Sequence, residues 1–136
     1  MRLIEGQAPV PADFKGSVIA IGNFDGVHRG HQRLLEVTQA EAVRRGKPWG
    51  VLTFEPHPRT FFRPSEPVFR LTPPALKARL VGDMGATFMM VLDFDRELSS
   101  LEPGDFVRQH LIGRLGVSHV VTGYDFHFGR GRKGNP

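Results

Sequence analysis

Two rhythms of apolar positions run through this chain. Short, largely apolar runs occur at Ser17–Ile21, Trp49–Phe54, Phe88–Leu92 and His119–Thr122, and each reads as a strand, the first as a buried one. Between them lie stretches with helical spacing. Over Arg29–Arg45, Leu34, Leu35, Thr38 and Ala42 share one face, and Gly46 follows as a stop. Thr72 reads as the cap of a second helix, with Pro73 in its first turn and Leu76 and Leu80 on its buried face. Pro103–Leu115 reads as a third helix, with Phe106, Val107, Leu111 and Leu115 inward and Gly116 ending it. The stretch from Glu55 to Leu71, punctuated by Pro56, Pro58, Pro64 and Pro67, fits no regular element.

Strands that alternate with helices imply an α/β fold, a doubly wound parallel sheet with right-handed crossovers. In such sheets ligands bind beyond the carboxyl ends of the strands. The loops starting at Gly22, Glu55 and Gly123 all begin there, so they are expected to build one site. No internal repeat or low-complexity tract interrupts the pattern.

Composition narrows the function classes. Hydrophobic residues at 40% and charged residues at 24% suit an ordinary globular domain, and the 136 residues suit one domain or part of a larger one. The absence of cysteine excludes disulfides, thiolate catalysis and cysteine-bound zinc. No apolar run is long enough to span a bilayer and no secretory core opens the chain, so a cytoplasmic location without membrane attachment is expected. The net charge of +4 suits an anionic ligand, but the arginines are scattered and form no basic helix, which argues against a nucleic-acid module.

The chemistry concentrates in Gly22-Asn23-Phe24-Asp25-Gly26-Val27-His28-Arg29-Gly30-His31. A buried strand that empties into a glycine-rich turn and then a helix is a place for phosphate, because the backbone can approach the ligand and the first helical N–H groups point at it. No Gly-Lys-Ser/Thr follows, so this is not a Walker A loop, and the spacing is not Gly-x-Gly-x-x-Gly either. His28 and His31 lack a third ligand at a familiar metal spacing. As imidazoles beside phosphate they can donate to oxygens whose charge grows during transfer. A tight turn whose histidines only cap the helix is the plainer alternative.

Two further segments bear on the ligand. Thr53-Phe54-Glu55-Pro56-His57-Pro58-Arg59-Thr60-Phe61-Phe62 is either a rigid proline loop over a sheet edge or a wall on which a flat ring stacks. Gly123-Tyr124-Asp125-Phe126-His127-Phe128-Gly129 alternates aromatic and polar residues before a basic stretch.

In this order, with Arg70-Leu71-Thr72, Asp93-Phe94-Asp95 and Leu98-Ser99, the segments resemble the bacterial bifunctional riboflavin kinase/FMN adenylyltransferase family, the prokaryotic FAD synthetases. The resemblance runs from about Ser17 onward. It implies a Rossmann-like nucleotidyltransferase fold and transfer of AMP from ATP to FMN, giving FAD and pyrophosphate. It implies that Gly22, Asn23, Phe24, Asp25, Gly26, His28, Gly30 and His31 hold ATP, with His28 and His31 catalytic and Mg2+ arriving on the ATP. Phe54, Pro56, His57, Pro58, Phe62, Asp125, Phe126 and Phe128 are implied to line the flavin. His127 stands where the family usually has arginine. The family's Ser-Ser-Thr-x-x-Arg stretch and its riboflavin kinase domain lie beyond Pro136, so residues 1–136 are expected to form a C-terminally incomplete adenylyltransferase domain. The alternatives are a related nucleotidyltransferase with another phosphate acceptor, and a nucleotide- or flavin-binding fragment without turnover.

Other residues carry plainer expectations. His110 and His119 read as structural, surface or partly buried histidines, and Met89-Met90 as strand core. Asp93 and Asp95 follow a central strand, where they serve the site, solvation or helix capping.

Overall fold

The apolar runs form strands where both faces of a sheet are covered. The computed structural model describes residues 1–22, 24, 29–55 and 74–123. Within them β1 (Arg2–Glu5), β2 (Val18–Ile21), β3 (Trp49–Glu55), β4 (Phe88–Asp93) and β5 (His119–Thr122) form one sheet in the order β1-β4-β3-β2-β5. Every pairing is parallel. The three central strands are buried almost end to end, as their continuous apolar sequence requires. β1 was not expected, because Arg2-Leu3-Ile4-Glu5 buries only Ile4 and sits at the sheet edge.

Helix α1 (Arg29–Arg45) has the expected bounds and face: Leu35, Thr38 and Ala42 are buried and Leu34 packs beside them. The Thr38 hydroxyl donates to the Leu34 carbonyl at 2.7 Å, so its burial leaves no unmet donor. Helix α2 (Pro74–Asp83) corrects the expected face. Leu76 and Leu80 are exposed, whereas Lys77 and Val81 turn toward the sheet. Both pairs satisfy the same four-residue spacing, and the register is shifted by one, with Val81 in the core and Lys77 Nζ 3.9 Å from Glu55 Oε1. Thr72 and Pro73 lie outside the described residues.

After β4, the Asp95 side chain accepts from the Leu98 N–H at 2.8 Å and caps the short helix α3 (Arg96–Ser99). Helix α4 (Pro103–Phe106) then continues as a π-helix over Val107–Arg114. With its wider turn, residues four and five apart share a face, so His110 joins Phe106, Leu111 and Leu115 in the interior. His110 is thus fully buried rather than at or near the surface, while Gly116, at a φ of 55°, ends the element as expected.

The two faces of the sheet are covered by different parts of the chain. α1 and α2 pack with Val18, Ala20, Val51, Met89 and Val91 on one side. Phe106, Leu111 and Leu115 pack with Ile19, Ile21, Leu52, Met90 and Leu92 on the other. On this second face Phe14 stacks on Phe88 with ring centroids 4.9 Å apart, and the Phe88 ring lies over Gly50. The division follows from winding: β2, β3 and β4 step in one direction across the sheet, and the chain then returns past β2 to β5. Right-handed crossovers in opposite directions put their helices on opposite faces.

Candidate active site

That reversal puts a topological switch point between β2 and β5, and it is beyond the carboxyl ends of strands at such a point that open α/β sheets bind ligands. Ile21 is in register with Thr122, so Gly22 and Gly123 are the first residues beyond two neighbouring strands. β3 flanks β2 on its other side, with Leu52 beside Ile21, and delivers Glu55 to the same edge. The three loops singled out in the sequence therefore leave from three adjacent strands.

At the centre, Gly22, Phe24 and His31 form one packed unit. The Gly22 N–H extends the ladder to the Leu52 carbonyl at 3.1 Å. The chain then turns so sharply that Phe24 adopts a φ of 53°. A bulky residue there is an outlier whose strain must be held by its surroundings. Here the holding force is burial: the Phe24 ring is fully enclosed in the core between the sheet and α1. A Cβ on Gly22 would sit 3.3 Å from that ring, so glycine leaves room for it. The ring edge meets the His31 imidazole with centroids 5.4 Å apart.

His31 lies in the first turn of α1, together with Gly30. First-turn N–H groups have no acceptor within their helix and carry its positive end. Phe24 thus sets an imidazole beside backbone donors at the switch point, an arrangement suited to a phosphate. Phe24 was expected as a ligand residue; the structure gives it a buried supporting place.

Phe54 is also in the interior. Its ring is edge-on to Phe94 at 6.0 Å and tilted against Phe106 at 6.3 Å, beneath the carboxyl edge of β3. The other expected site residues, Asn23, Asp25, Gly26, His28, Pro56, His57, Pro58, Phe62, Asp125, Phe126 and Phe128, lie outside the described residues. Among the described residues, no three His, Asp or Glu side chains gather as a metal-binding group.

Sequence reasoning missed an ion pair at this edge. Lys77 Nζ lies 3.9 Å from Glu55 Oε1, with the lysine side chain 3% and the glutamate 18% exposed. The signal was a lysine one position from the assumed inner face of α2. Asp93, in register with Glu55, is exposed and lies against Gly6.

A five-stranded parallel sheet with helices on both faces, and a helix that begins soon after the strand beside the switch point, define a Rossmann-like fold of the nucleotidyltransferase type. Residues 10–136 match the FAD synthetase family, and the chain belongs to it. It is 42% identical over 135 residues to a bifunctional riboflavin kinase/FMN adenylyltransferase of Pseudomonas fluorescens, covering 99% of this chain and 43% of that protein. The protein of the same description from Escherichia coli strain K12 is 39% identical over 140 residues, covering 99% and 44%. That from Bacillus subtilis strain 168 is 39% identical over 119 residues, covering 87% and 37%. The chain therefore spans less than half the length of these relatives and matches their N-terminal part. Among solved structures, one described as a macrolide-efflux protein from Streptococcus pneumoniae superposes with a TM-score of 0.83 at 27% identity, covering 98% of this chain and 45% of that one. No helix among the described residues is long and apolar enough to cross a membrane.

Proposed function

We propose that this chain carries FMN adenylyltransferase activity: the phosphate of FMN attacks the α-phosphorus of ATP, and FAD and pyrophosphate leave. The observation that carries this reading is the Gly22–Phe24–His31 unit at the switch point, beside the carboxyl end of β5. Family membership supplies the ligand chemistry.

His31 and His28 stabilise the negative charge that grows on the phosphates. The N–H groups of the first turn of α1 and the turn at Gly22, Asn23, Asp25, Gly26 and Gly30 hold ATP. Pro56, His57, Pro58 and Phe62 line the flavin, with Asp125, Phe126 and Phe128 on its far side and Phe54 supporting the wall from below. Mg2+ comes with the ATP and is bound mainly by phosphate oxygens. Catalysis then rests on positioning and charge stabilisation, without a covalent enzyme intermediate. The full protein is proposed to phosphorylate riboflavin as well, as the description of its relatives indicates.

Replacing His31 with alanine is expected to lower turnover far more than it weakens FMN binding. Full adenylyl transfer by that variant would remove His31 from the mechanism. A related nucleotidyltransferase with another acceptor would bind ATP yet leave FMN fluorescence unquenched.

A further inference from the structure

We infer that residues 103–117, the crossover from β4 to β5, lift from the sheet on acidification, with the buried imidazole of His110 as the trigger. The device lies outside the site described above and holds whichever reaction that site performs. Within the segment α4 passes into the π-helix Val107–Arg114, and the Leu115 N–H donates to the His110 carbonyl, five residues back, at 3.2 Å. Such turns are rare and tend to mark functional places. Here burial holds the register. Phe106, Leu111 and Leu115 all enter the core under the segment, whereas in an α-helix the residues five and nine after Phe106 would turn away from its face. Once undocked, the segment has nothing to keep that register.

His110 is the weak point of that docking. Its side chain is 2% exposed, its ring is tilted against Phe106 at 5.5 Å, and its Nδ1 has no hydrogen-bond partner. The sheet contributes Ile19, Ile21, Leu52, Met90 and Leu92 to this core, and the loop after β1 contributes Val10 and Phe14. Arg114, one turn further on, is the charged group that acts on the imidazole. Its own Nη2 donates to the Ala8 carbonyl at 2.8 Å, and no carboxylate among the described residues pairs with it. Asp13 and Lys15 on the crossing loop, Glu97 on α3, and Asp105 with its partner Arg108 are exposed and do not act on the ring. Burial first, and Arg114 second, hold the imidazole pKa below its usual 6.5. Once protonated, the ring is a cation in an apolar core beside a second cation, and it is solvated only by reaching water. The segment can yield because it contributes no strand to the sheet, so lifting it breaks no ladder hydrogen bond. It is tied to the loop after β1 by Arg114 and by the Gly16 N–H on the Leu115 carbonyl at 3.1 Å. It runs directly into β5, whose carboxyl end flanks the switch point, so opening slackens that side of the candidate site.

Native-state hydrogen exchange of the full chain tests this, with each amide expressed as a protection factor so that the intrinsic effect of pH is removed. The Leu115 and Val117 N–H groups donate to the His110 and Leu111 carbonyls. They should lose protection as the pH falls below 6.5, by up to about tenfold per pH unit, the slope for one proton taken up on opening. They should also be less protected than Met90 and Leu92 of β4. Low urea should change their protection less, since local opening exposes only part of the surface that unfolding exposes. His110→Leu should make their protection independent of pH over that range. A second measurement needs no variant: the ring protons of His110 should report charging in step with the loss of protection. Protection of Leu115 and Val117 that does not fall, that falls equally in His110→Leu, or that matches Met90 and Leu92 in its response to urea would overturn the inference. So would a His110 ring that charges while those amides stay protected.

Discussion

Phe24 offers a test of the site's geometry in which the usual order of two substitutions changes. Its ring is fully buried against α1, so truncation to alanine is expected to cost about 3–5 kcal/mol from lost burial and the cavity left behind. Its backbone, at a φ of 53°, adds a second effect. Any residue with a Cβ pays roughly 1–2 kcal/mol for that left-handed conformation, and glycine does not. Glycine brings a cost of its own, roughly 0.5–1 kcal/mol of additional unfolded-chain entropy relative to alanine. The two backbone effects oppose each other and the first is larger. Phe24→Gly is therefore expected to be more stable than Phe24→Ala, by up to about 1.5 kcal/mol. At an ordinary helical or extended position the order is the reverse. Urea unfolding of both variants, compared at equal m, reads the difference directly. An alanine variant more stable than the glycine variant would refute the strained turn. Both variants also remove the ring edge that His31 rests on, so both should weaken ATP binding to a similar degree.

Gly50→Ala should be among the more damaging small substitutions. Its Cβ would lie 2.5 Å from two carbons of the fully buried Phe88 ring, itself stacked on Phe14, and such overpacking costs about 1–3 kcal/mol in a denaturant titration. His110 should make stability depend on pH. Burial, and then the nearby positive charge of Arg114, hold its imidazole below the usual 6.5, and its Nδ1 has no hydrogen-bond partner among the described residues. The unfolded chain therefore takes up a proton that the folded chain resists. The resulting stability is present above pH 6.5 and is lost as the pH falls through 6.5 toward the lowered folded value. His110→Leu should flatten that dependence, and an unchanged pH profile would show that His110 is not its source.

The architecture was legible because parallel strands leave a plain mark. Val18–Ile21 and Phe88–Leu92 have no polar face, and a chain alternating them with helices has few ways to wind. The limits of α1 were legible too, since Gly46 can adopt the positive φ of 64° that ends it. The face of α2 was not. Spacing alone fits Leu76 with Leu80 and Lys77 with Val81 equally, and only the three-dimensional neighbours, the core around Val81 and Glu55 beside Lys77, show which pair faces inward. The inward turn of His110 was hidden for a related reason, because a π-helix changes which residues share a face. β1 is too short and too polar to stand out before β4 is beside it. At the site, the structure shows that the three loops start from adjacent strands at Gly22, Glu55 and Gly123, as the topology implied, and their further course lies outside the described residues. The placement of Phe24 did not follow: a phenylalanine between Asn23 and Asp25 gives no sign that its ring will fold back into the core.

The central claim is that the Gly22–His31 turn holds ATP while its adenylyl group passes to FMN. Incubating the protein with ATP labelled at the α-phosphate, together with FMN, tests this most directly. The account predicts label in FAD, an equal amount of pyrophosphate, and loss of both when His31 is replaced by alanine. Label appearing in free AMP or in another acceptor, with none in FAD, would contradict it.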